Sequence, residues 1–183
     1  MTSGQLDTSE LVELLQGSAV EHLTIFRQLE SQEISSVVTI VTTDFEALYA
    51  YKRGDYQRCL QLSTQNVHTL IGRTGWSDIF TCSECIQLMD DDLVCLIGLT
   101  LLLDKSCRED GRHVLISQLT LSLYLMTQCQ LKLHHPVTSL AQTLDYIKVA
   151  RHQLIQQLQL YTLGQLLLKL TEHKVLRYTS LDS

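Results

Sequence analysis

The stretch Ala47-Leu-Tyr-Ala-Tyr-Lys-Arg-Gly-Asp-Tyr-Gln-Arg-Cys-Leu60 holds two helical patterns on either side of a Gly-Asp break. Upstream, Phe45, Leu48 and Tyr49 repeat at helical spacing and predict a helix from about Ser36 to Lys52. Its beginning, with Ile34, Val37, Val38 and Val41, is β-branched and would also suit a short strand. Downstream, Tyr56, Cys59, Leu60, Ser63, Val67 and Leu70 step by three and four, which predicts a second helix ending before Gly72. Gly54 is expected in the left-handed conformation that lets a chain leave one helix and enter another sharply.

Further out, composition and punctuation extend the helical reading. Leucine fills 36 of 183 positions against one proline and eight glycines, and leucine favours helix. A first helix is expected from Thr8 or Ser9 to Gly17 and a second from there to about Ser31. The segment from Gly72 to Asp78, with the single tryptophan Trp76, reads as a loop. Asp90, Asp91 and Asp92 precede the apolar run Leu93 to Leu103, where carboxylates cap free N–H groups and suit the helix dipole. Val114 to Leu133 is apolar on more than one side and so predicts a central, buried helix, followed by a solvated turn at His134, His135 and Pro136. From Leu140 to Leu168 a four-three step recurs, but Arg151, Gln165 and Gly164 interrupt a coiled-coil seam.

The expected fold is therefore all-α, a single domain over residues 1–183 built as a stack or bundle of antiparallel helical hairpins, α-solenoid-like, with six to eight helices. Residues 36–72 form one hairpin and 88–176 a leucine-rich helical core.

Ala47, Gly54, Asp55, Tyr56 and Cys59 resemble the inter-helix turn of a tetratricopeptide repeat, over about residues 40–73. In that family a small residue stands seven before the glycine and another five after it. Cys59 stands where the family has alanine, Glu46 where leucine is common, and no proline closes the second helix near Ile71. No second copy follows at the repeat spacing, which implies degenerate neighbours. The resemblance implies that the first helix of the pair lines a concave groove, with Asp44, Leu48, Tyr51 and Lys52 as partner contacts. Leu48 and Tyr51 are equally explained as core residues.

Charge narrows the function classes. The net charge of −6 divides into −7 over residues 1–50, −2 over 51–100 and +3 over 101–183. An acidic first third and a dispersed basic excess argue against nucleic acid. The eleven residues from Leu93 to Leu103 fall short of the about 20 needed to cross a bilayer, which argues against a membrane span. The opening residues lack a secretory pattern, so a cytoplasmic location with reduced cysteines is expected.

Motifs for chemistry are sparse. Cys82 and Cys85 have zinc-knuckle spacing, and Cys107 with His113 would complete a tetrahedral set, although five residues separate that second pair. Cys107, Asp110 and His113 also contain the residue types of a thiol nucleophile with acid and base. Cys95 and Cys129, inside leucine-rich segments, read as core. Gly72-Arg-Thr-Gly75 lacks the Lys-Ser/Thr of a phosphate loop. The expectation is a non-enzymatic protein-protein interaction module without a cofactor, binding a partner peptide or helix in a helical groove. The alternative is a small zinc-binding regulator using Cys82, Cys85, Cys107 and His113.

Overall fold

The computed structural model describes residues 8–30, 36–71, 79–81, 85–103, 115–156 and 162–181. These form seven α-helices: α1 (Thr8–Glu30), α2 (Ser36–Lys52), α3 (Tyr56–Leu70), α4 (Asp91–Leu103), α5 (Gln118–Lys132), α6 (Val137–Gln156) and α7 (Thr162–Leu181). A short 3-10 turn, Ile86–Leu88, leads into α4. Two three-residue strands, β1 (Ile79–Thr81) and β2 (Leu115–Ser117), pair antiparallel with Phe80 opposite Ile116. The all-α expectation holds, as a helical bundle with this minimal ribbon.

α5 is the centre. Every residue from Gln118 to Gln130 is buried, and the helix packs against α2, α3, α6 and α7. Leu121, Leu123, Tyr124, Leu125 and Met126 fill the space between those neighbours. Polar residues on such a helix are stabilised by partners inside the protein, which the Gln118 amide and Gln128 Nε2 lack among the described residues. Ser122 donates to Asp44 Oδ1 of α2 at 2.9 Å, and Asn66 of α3 donates to the same oxygen at 2.8 Å. Gln130 Oε1 accepts from Thr143 of α6 at 2.9 Å. Thr127 satisfies its hydroxyl on the carbonyl of Leu123, one turn back.

The break at Gly54 ends α2 with a paired set of bonds. The Gly54 amide donates to the Tyr51 carbonyl at 3.0 Å and the Asp55 amide to the Ala50 carbonyl at 2.9 Å. With Gly54 at φ 78° this is a Schellman termination, which satisfies carbonyls that the helix end leaves open. Asp55 then caps α3, its side chain accepting from the Arg58 amide at 3.1 Å. α5 ends the same way with a different residue. His134 stands at φ 53°, and the amides of His134 and His135 donate to the carbonyls of Leu131 and Gln130.

Three boundaries differ from the sequence reading. Gly17 does not end a helix: α1 continues through it, and a Cβ there would lie 3.4 Å from the Tyr49 hydroxyl. The glycine marks a close approach between α1 and α2. Residues 115–117 are strand, not the first turn of the central helix, because Ser117 caps α5 by accepting from the Thr120 amide at 3.2 Å. The four-three step after Leu140 belongs to two helices, α6 and α7, which pack on each other; residues 157–161 lie outside the described residues.

Two substitutions test the helix ends. Gly54→Val should destabilise the fold by about 1–2 kcal/mol or more, because a β-branched residue is strained at positive φ. No atom lies within 4 Å of the position its Cβ would take, so a fall in melting temperature reports backbone strain and not a clash. Conversely, His134→Gly should raise the melting temperature, by about 0.5–1 kcal/mol of stability, by relieving a non-glycine residue from the left-handed region.

Candidate functional surface

The four residues expected to line a groove fall in different places. Asp44 and Leu48 are wholly enclosed, Asp44 by its bonds to Asn66 and Ser122 and Leu48 within the apolar core. This corrects the groove placement of Asp44 and agrees with the core reading of Leu48, since the chain's own α3 and α5 occupy the face on which Asp44 lies. Tyr51 is half-buried, its ring edge-on to Tyr56 with centroids 5.6 Å apart. Lys52 is exposed at the end of α2. Beside it, Arg53 pairs with Glu13 of α1 at 2.9 Å. The buried Glu46 is matched by Arg58, whose guanidinium donates twice to Glu46 Oε1 at 3.1 and 2.5 Å.

Asp90 gathers three elements. Its Oδ1 accepts from the Leu93 amide at 3.0 Å and so caps α4, as the acidic run predicts. Its Oδ2 accepts from the Tyr124 hydroxyl of α5 at 2.6 Å and from Tyr51 of α2 at 3.4 Å. The Lys174 ammonium of α7 stands 5.6 Å from the centre of the Tyr124 ring and also pairs with Asp92. Burial, followed by the charge of Asp90, pushes both tyrosine hydroxyls well above their ordinary range. They therefore act as donors, and the cluster acts as a clamp on the start of α4. Sequence proximity gave no sign of it, because Tyr51, Asp90 and Tyr124 are each more than thirty residues from the next.

The cysteines divide likewise. Cys59 and Cys129 are buried, and a hydrogen bond between them, together with burial, raises the Cys59 thiol far above its usual range. A thiol held protonated is a poor nucleophile. Cys95, expected in the core, is exposed on the outer side of α4, because the buried side of that helix is formed by Leu93, Ile97 and Thr100. Cys85 is buried at the start of the 3-10 turn, whereas Cys82, Cys107, Asp110 and His113 lie outside the described residues. Among the described residues no group of three His, Cys, Asp or Glu is placed to hold a metal ion, and no helix is long and apolar enough to cross a membrane.

Among the described residues, α1 and α4 each carry exposed apolar side chains. On α1, Leu11, Leu14 and Leu15 are 46%, 63% and 62% exposed. On α4, the side facing away from Leu93 and Ile97 is apolar and open to water. No protein-family model, curated protein or solved structure matches the chain.

The tyrosine clamp has a consequence at high pH. Free tyrosine titrates at about pH 10, so an unfolded chain releases these two protons there while the folded chain keeps them. The stability they contribute is full below about pH 10 and falls as pH rises above it. Melting temperature should thus drop on going from about pH 9 to about pH 11, and drop less in the Tyr51→Phe/Tyr124→Phe double variant. Equal slopes in the two proteins would show that the clamp is not the titrating element.

Proposed function

We propose that this chain is a non-enzymatic protein-protein interaction module that receives a helical segment of a partner on the outer face of α1. The observation that carries the reading is the exposed strip Leu11, Leu14 and Leu15, at i, i+3 and i+4 on one side of the helix. Such spacing is how helices present apolar anchors to one another. A strip of this kind in water has a standing gain from being covered, about 25 cal/mol per Å² of apolar area removed.

The surroundings define the partner. Glu10 and Glu21 are exposed beside the strip, on a helix within the most acidic third of the chain. An amphipathic helix with leucine-like anchors and flanking lysine or arginine meets both features. The opposite side of α1 holds to α2, where Arg53 and Glu13 tie it down and Gly17 seats against Tyr49. The strip is thus presented on an anchored element.

The test uses the full chain as bait in native extract, with captured proteins identified and their affinity then measured. Leu14→Glu/Leu15→Glu should reduce capture of the specific partner by about tenfold or more, a loss of about 1.4 kcal/mol. The melting temperature should stay close to wild type, since substitutions at exposed sites cost about 0.5 kcal/mol or less. Undiminished capture by the double variant would remove α1 as the binding element.

A further inference from the structure

We draw no further inference here: the strongest candidate, the pair Cys59 and Cys129 where α3 packs on α5, rests on the raised titration of the Cys59 thiol alone, and both residues are wholly enclosed in the apolar core.

Discussion

A helix enclosed on every side draws partners for its polar side chains from its neighbours, and α5 does so at Ser122, Tyr124 and Gln130, while the Gln118 amide and Gln128 Nε2 have no partner among the described residues. Ser122 fixes Asp44 of α2, which in turn fixes Asn66 of α3. Gln130 fixes Thr143 of α6, and Tyr124 fixes Asp90 at the start of α4. Apolar packing alone would tolerate α2, α3 or α6 sliding by part of a turn. A buried hydrogen bond does not, because a slip leaves its donor or acceptor unpaired in a low-dielectric interior, at a cost of about 1–3 kcal/mol. The leucines supply most of the attraction, and these few polar side chains select the register.

Asp90 shows how a local signal and a distant one meet in a single residue. As a helix cap it belongs to the nearest three residues of sequence. As the acceptor of Tyr124 and Tyr51 it belongs to the meeting of α2, α4 and α5. The cap function alone places α4 in sequence; the tyrosines place it in space. Lys174 closes the arrangement from α7, touching both the ring of Tyr124 and the carboxylate of Asp92.

This division explains what was legible in the chain. Helical spacing and the Gly-Asp break were enough for α2 and α3, whose bounds Ser36–Lys52 and Tyr56–Leu70 agree with the pattern, and for the conformation of Gly54. The burial of α5 followed from apolar residues on more than one side. Gly17 misled because a glycine that ends a helix and one that lets two helices touch look alike in one dimension. Asp44 and Cys95 misled for a related reason, and Leu48 stayed open between groove and core. Periodicity tells that a helix has two sides, but which side meets another helix depends on elements far along the chain. The resemblance to a repeat turn pointed to α2 as a groove wall, whereas Asp44 and Leu48 face inward once α5 is in place.

The position of α5 in the chain bears on how the protein is made. α2 and α3 present Leu48, Cys59 and Val67 to a helix that lies about sixty residues further on. At ribosomal rates of about 5–20 residues per second, the apolar side of that pair is complete for roughly 3–12 s before α5 has been synthesised. During that interval Leu48, Cys59 and Val67 lack the helix that later buries them. The order of the elements along the chain therefore sets how long that apolar side waits for α5.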